Sequence, residues 1–275
     1  MNSARTTVLI NGAAGRSIPA TDRGLQYGDG LFETLRCERG APRWLERHLR
    51  RLRQGCQRLH LPLPDEELLA REVHELAAGH VRGLAKIIYT RGSSAVRGYA
   101  PREAAEPTRI LSWHPWPEPA AHWVQGFRVG LATLRLGENP ALAGIKHLNR
   151  LEQVLAAAEA TRLALDEVLL AASSGDWISG SMSNLFLIEG QRLITPPLER
   201  CGVEGIMRGL VLERAAELGW EAAIEPIPTV RLAAAPCMFL SNVRLGLQCV
   251  HSLEGRSLLP DPRLTRLQEL LDVRS

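Results

Sequence analysis

The sequence predicts an α+β protein in two lobes, and three observations lead there. Short β-like apolar runs are interspersed with a few longer stretches of helical periodicity. The run Pro115-Trp116-Pro117-Glu118-Pro119 fits neither a helix nor a central strand, because three prolines remove donors and fix φ. The chain of 275 residues is long enough to build a modest core on each side of that run. The expected division is a smaller α/β domain over 1–116, a linker over 117–123 and a larger domain over 124–275. A cleft is expected between the two.

In chain order, Thr7 to Asn11 reads as a strand closed by an Asn-Gly turn, and Leu31 to Arg36 as the next strand. A helix is expected from Trp44 to Leu61, stopped by Pro62 and Pro64, with Leu45, Leu49, Leu52, Cys56 and Leu59 as its buried stripe. Asp65 is a plausible N-cap for a second helix ending near Ala78. Lys86 to Thr90 and Arg109 to Trp113 are strand-like, with a polar, glycine-bearing loop over 91–107 between them. Past the prolines, strands are expected at Phe127 to Thr133, Val168 to Ala171, Asn184 to Ile188, Arg192 to Thr195 and Cys237 to Leu240. Helices are expected over Leu148 to Leu163 and Gly205 to Leu218. In the first of these, Leu148, Leu151, Leu155 and Ala158 have the spacing of one inward face.

Composition excludes several classes. Hydrophobic content of 45% and a net charge of +3 argue against disorder, and no apolar run reaches the roughly 18–20 residues of a membrane span. The N-terminus lacks the layout of a signal peptide, so a cytoplasmic protein is expected. Five scattered cysteines form no C-x-x-C pair, and the histidines show no metal spacing. No basic stripe suggests nucleic acid: most arginines of Arg47 to Arg58 fall on the solvated face of their helix.

Lysine is the informative residue. Of 33 basic residues only Lys86 and Lys146 are lysines, so amine chemistry has two side-chain candidates. Lys86 alternates out of an apolar strand and reads as solvent-facing. Lys146 follows an irregular loop of small residues and precedes a helix, a placement that suits a Schiff-base nucleophile. Gly202 to Arg208 enters a helix through two glycines, where free N–H groups and the helix dipole can hold a phosphate. A plain helix start reads the same way. Neither the dinucleotide fingerprint nor a P-loop is present.

Several segments together resemble one family. Asp22-Arg23-Gly24-Leu25-Gln26-Tyr27-Gly28-Asp29-Gly30-Leu31-Phe32-Glu33-Thr34 is similar to the opening signature of the fold-type-IV pyridoxal phosphate enzymes, the D-amino acid aminotransferase-like group. His48-Leu49-Arg50-Arg51-Leu52 resembles their H-x-x-R-L helix. Lys146 to Val154 resembles the Schiff-base lysine segment, and Ser181 to Phe186, Gly205 to Arg208 and Ser241-Asn242 follow in the family's order. The lysine segment, Arg91-Gly92-Ser93 and Arg97-Gly98-Tyr99 look most like the aminodeoxychorismate lyase branch, which forms 4-aminobenzoate and pyruvate in folate synthesis.

The resemblance implies pyridoxal 5'-phosphate as cofactor, carried by Lys146, and a homodimer acting on a small molecule, without nucleic acid or membrane. Arg51, the Ile206 and Met207 amides and Asn242 would hold the cofactor phosphate. Substrate contacts would come from Tyr27, Thr34, Arg97 and Tyr99, the last two equally readable as solvated loop residues. One position departs from the family. Ser179 stands where a Glu usually pairs with the pyridine nitrogen, and a hydroxyl supplies a hydrogen bond without charge. The chain could be a lyase with a shallower electron sink, or Asp176 could reach in, or activity could be lost or changed. The alternatives on the same scaffold are a D- or branched-chain aminotransferase and a cofactor-binding homologue without turnover.

Overall fold

The computed structural model describes residues 7–94, 98–101, 106–117 and 120–273. The chain divides into two compact units, one of Met1–Glu118 with Ile145–Asn149, the other of Pro119–Gly144 with Arg150–Ser275. The segment 145–149 thus belongs with the first unit, although it lies beyond the proline run.

The first unit contains strands β1 (Val8–Ile10), β2 (Ala13–Ala14), β3 (Gly30–Glu38), β4 (Ala41–Pro42), β5 (Arg82–Thr90) and β6 (Thr108–Pro115). Its helices are α1 (Arg23–Tyr27), α2 (Leu45–Leu59) and α3 (Glu66–Ala77). The strands form one antiparallel sheet in the order β2-β1-β6-β5-β3-β4. Leu31, Leu35, Ile87 and Leu111 are fully buried or nearly so, and Leu49, Leu52 and Cys56 of α2 are buried too. Asp65 caps α3 by accepting from the Leu68 amide. The strands β3, β5 and β6 are each longer than periodicity suggests, because hydrogen bonding continues past the apolar runs.

β4 reaches only the far end of β3, at Cys37 and Glu38. Backbone from 146–148 pairs the other end: the Phe32 amide donates to Lys146 O and the Leu148 amide to Gly30 O. This pairing holds the Lys146 segment on β3.

The second unit contains β7 (Phe127–Leu136), β8 (Glu167–Ala172), β9 (Trp177–Gly180), β10 (Asn184–Glu189), β11 (Arg192–Thr195), β12 (Glu221–Ile224), β13 (Cys237–Asn242), β14 (Gly246–Leu253) and β15 (Arg256–Ser257). Helices α4 (Leu151–Arg162), α5 (Ile206–Arg214), α6 (Thr229–Ala234) and α7 (Arg263–Leu270) accompany them. The mixed sheet runs β12-β11-β10-β13-β14-β7-β8-β9, with β9 also pairing β10. One face buries Leu169, Leu185, Leu187, Met238 and Leu240. The other carries Phe186 and Phe239, stacked at 4.8 Å between ring centroids.

On α4 the expected inward face is the outward one. Leu151, Val154 and Leu155 are 78%, 59% and 57% exposed, Ala158 is exposed, and Ala156 and Ala160 are the buried residues. Periodicity finds the apolar stripe but does not say what covers it. The helix begins at Leu151, since 146–148 is engaged on β3.

Candidate active site

The first unit gathers charged side chains around β3. Alternation along the strand sends Leu31, Glu33 and Leu35 to one face, with Phe32 and Thr34 on the other. Glu33 is 1% exposed and faces α2. Its carboxylate accepts from Arg51 Nε at 2.8 Å and Nη2 at 2.6 Å, and from His48 Nδ1 at 2.6 Å. Burial alone would raise the carboxyl pKa, but the Arg51 charge and hydrogen bonds, with His48, hold it at about 2. Glu33 is therefore ionised, His48 Nδ1 carries the donated proton, and burial keeps His48 below its ordinary pKa. His48 Nε2 is buried and has no hydrogen-bond partner among the described residues.

The two lysines meet at one aromatic ring. Lys146 Nζ lies 4.2 Å from the Phe32 ring centroid, and Lys86 Nζ lies 5.4 Å from it. Lys86 is directly opposite Thr34 in the register of β3 and β5, so both share the Phe32 face. The expectation of a solvent-facing Lys86 is corrected: it is half-buried beside Phe32. Alternation alone cannot reveal this, because the second lysine at the same ring comes from the remote segment 145–149.

Of the other substrate candidates, Thr34 and Tyr27 are half-buried, and Tyr99 is exposed with its ring 5.5 Å from that of Tyr27. Arg23 fixes this pair. Its Nη1 and Nη2 donate to Gly98 O and Tyr99 O, and its Nε to Asp29. Arg91 donates to the same carboxylate. Arg97 lies outside the described residues.

The second unit carries a polar row at the end of its Phe186–Phe239 face. Ser179 pairs with Asn184 and Asn184 with Ser241, so the three side chains share a face. Ser241 is 1% exposed, and its Oγ has no hydrogen-bond partner among the described residues. Asn184 Nδ2 donates to Val203 O at 2.9 Å, which brings the row to the start of α5. Gly205 caps α5 without a side chain, and a Cβ there would run into Asn184 Oδ1. Ile206 and Met207 bury their side chains, so this helix end offers backbone N–H groups. Arg208, in the same motif, is structural: it donates to Thr195 Oγ1 and Pro196 O.

Asn242 is occupied by backbone. Its Nδ2 donates to Met182 O and its Oδ1 accepts from the Leu245 amide. Its side chain ties the 182 turn to the 245 turn, and Ser241, named with it in the sequence motif, is the neighbouring hydroxyl. Glu167 was also missed. It is buried, accepting from the Ser181 amide at 3.0 Å and Ser183 Oγ at 3.2 Å, and so holds the turn that follows Ser179. Asp176 lies immediately before β9, whose register on β8 shifts between Trp177 and Ser179.

In the first unit an amine at an aromatic ring and a guanidinium locked by a carboxylate, and in the second a glycine-capped helix start and a buried hydroxyl, are each groups able to hold part of a phosphorylated aldehyde. A model for the family Amino-transferase class IV matches residues 30–253. The chain belongs to this family. It is 30% identical over 266 residues to an aminodeoxychorismate lyase of Vibrio harveyi, spanning 94% of this chain and 96% of that one. A putative branched-chain-amino-acid aminotransferase of Methanocaldococcus jannaschii is also 30% identical, over 86% of this chain and 82% of its own. Among solved structures, 4-amino-4-deoxychorismate lyase from Pseudomonas aeruginosa superposes with a TM-score of 0.90 at 43% identity, covering 96% of this chain and 97% of that one. The α+β architecture is that of the fold-type-IV enzymes.

Two predictions follow from the geometry. Gly205→Ala should destabilise the protein by about 1–3 kcal/mol through overpacking against Asn184. The cost should be smaller in an Asn184→Ala background, measured as a double-mutant cycle in urea. Because Glu33 has a lowered pKa, its pairing stabilises fully above the ordinary carboxyl range and is lost as pH falls toward about 2. A Glu33→Gln variant should be less stable at pH 7 and show a flatter acid limb in thermal unfolding. An unchanged acid limb would contradict the assignment.

Proposed function

We propose that the chain is a cytoplasmic pyridoxal phosphate-dependent lyase converting 4-amino-4-deoxychorismate to 4-aminobenzoate and pyruvate. The observation that carries this reading is Lys146, held on β3 by backbone hydrogen bonds with its amine at the Phe32 ring. Similarity to two lyases along nearly the whole chain supports the branch. The identity shared with an aminotransferase keeps transamination as the second reading.

On this reading Lys146, Arg51 and the Ile206 and Met207 amides are the groups that would serve the cofactor, whose bound ring would supply electron withdrawal. Arg51 meets the phosphate with a guanidinium already fixed by Glu33. Ser241 or the Asn242 backbone completes that end, and Ser179 faces the ring nitrogen with a hydroxyl. Lys146 Nζ carries the cofactor. With substrate bound, the Lys146 amine would take the proton from the amine-bearing carbon and return one to the departing enolpyruvyl group. Thr34, Lys86, Tyr27, Arg97 and Tyr99 meet the substrate, with Lys86 and Arg97 as cations for its carboxylates.

The test is an absorbance spectrum of purified protein with and without borohydride, beside Lys146→Ala. A yellow band is expected that borohydride bleaches while leaving the cofactor covalently on Lys146, and the untreated protein should form 4-aminobenzoate and pyruvate on adding aminodeoxychorismate. Amino-acid-dependent bleaching without those products would instead make it an aminotransferase. A protein that takes up no cofactor would end the enzyme reading.

We also infer that two copies pair through α4, supported by the uncharged stripe of Leu151, Val154, Leu155 and Ala158 on its outer face. Sedimentation should find a dimer at micromolar concentration, and Val154→Asp with Leu155→Asp should convert it to monomer. A wild-type monomer would refute this pairing.

A further inference from the structure

We propose that Glu33 and His48 are positioning residues for cofactor binding, acting through Arg51 on the phosphate end alone. The proposal rests on the reading that Arg51 meets that phosphate, and deepens it. An arginine side chain has several rotatable bonds, and ordering them on binding costs affinity. Here the ordering is already done. Glu33 accepts from both Nε and Nη2, a side-on bidentate contact that fixes the plane of the guanidinium as well as its position.

Glu33 is in turn fixed from a second direction. His48, one helical turn before Arg51 on α2, donates Nδ1–H to Glu33 Oε2, the oxygen that also receives Arg51 Nη2. The imidazole is wholly buried, and its other nitrogen has no partner. A buried ring atom with no hydrogen bond is not there for solvation, so what the imidazole contributes is its Nδ1–H and its shape. His48 is neutral, so the group of three carries one negative and one positive charge. The Glu33 charge opposes a phosphate dianion, but Arg51 supplies the opposite charge at the side chain that would meet it. Preorganisation of a planar donor set is the larger effect, because guanidinium recognition of phosphate depends on orientation.

The experiment compares two probes that differ only at the phosphate, pyridoxal 5'-phosphate and pyridoxal. Dissociation constants are read by absorbance on the full chain for wild type, Glu33→Gln, His48→Asn and His48→Leu. Glu33→Gln should weaken pyridoxal 5'-phosphate by about tenfold or more while leaving pyridoxal nearly unchanged, a loss comparable to one charge-assisted hydrogen bond. His48→Asn, which keeps a donor near Nδ1, should retain most of the preference for the phosphorylated probe, and His48→Leu should lose it. In an Arg51→Met background, Glu33→Gln should have no further effect on the ratio of the two constants. Equal weakening of both probes, or an unchanged ratio in Glu33→Gln and His48→Leu, would overturn the proposal and leave the three residues as a scaffold. If wild type itself binds the two probes alike, the failure lies with Arg51 as phosphate ligand. If it binds neither, the failure lies with the cofactor reading.

Discussion

Burying an ionised carboxylate between a sheet and the helix that covers it constrains everything packed against it. Glu33 accepts hydrogen bonds from His48 and Arg51 of α2, which lie within one helical turn of each other. Sliding that helix by a turn would leave a buried charge without its partner, a loss of about 3–5 kcal/mol in comparable cases. The apolar stripe of Leu49, Leu52 and Cys56 can accept neighbouring registers, but the ion pair cannot. Gly55 adds a steric stop, since a Cβ there would sit 2.7 Å from Leu31 Cδ1. With α2 fixed on one face, the free edge of β3 receives 146–148, and the lysine inherits its position from the strand.

Much of this was legible in the sequence because the informative residues are local. The Asp22 to Thr34 segment, the His48 to Leu52 turn and the Gly205 to Arg208 helix start each mark a site by spacing within a dozen residues. What was illegible depends on remote partners. Lys86 looks like a surface lysine until the segment 145–149 adds its own lysine at Phe32. The strand β9, which carries Ser179, is four residues long and bounded by glycines, too short for a period to register.

The error at α4 teaches more. Leu151, Leu155 and Ala158 have the spacing of an inward face, and the structure turns them outward. Periodicity reports that a face is apolar, whereas burial depends on whether a partner comes from the same chain or another copy. The small residues Ala156 and Ala160 make the intramolecular contact because α4 lies close on β7 and β8. An alanine face beneath a leucine face is a pattern that a single-chain reading assigns the wrong way round.

Ser179 poses the remaining chemical question. Among the described residues, the carboxylate nearest its turn is Glu167, but that group receives the Ser181 amide and the Ser183 hydroxyl, so it anchors the loop. Ser179 therefore offers a hydroxyl within a row of neutral polar groups, Asn184 and Ser241 beside it. A ring nitrogen facing a hydroxyl keeps a lower pKa than one facing a carboxylate, so electron withdrawal is weaker. Transamination relies on that withdrawal to hold charge long enough for a proton to be returned to the cofactor side. Elimination relies on it less, because expulsion of enolpyruvate relieves the charge and the product gains an aromatic ring. On the proposed reading a neutral partner at this position would suit a lyase, while the relatives that the chain resembles over most of its length include both an aminodeoxychorismate lyase and a putative branched-chain aminotransferase.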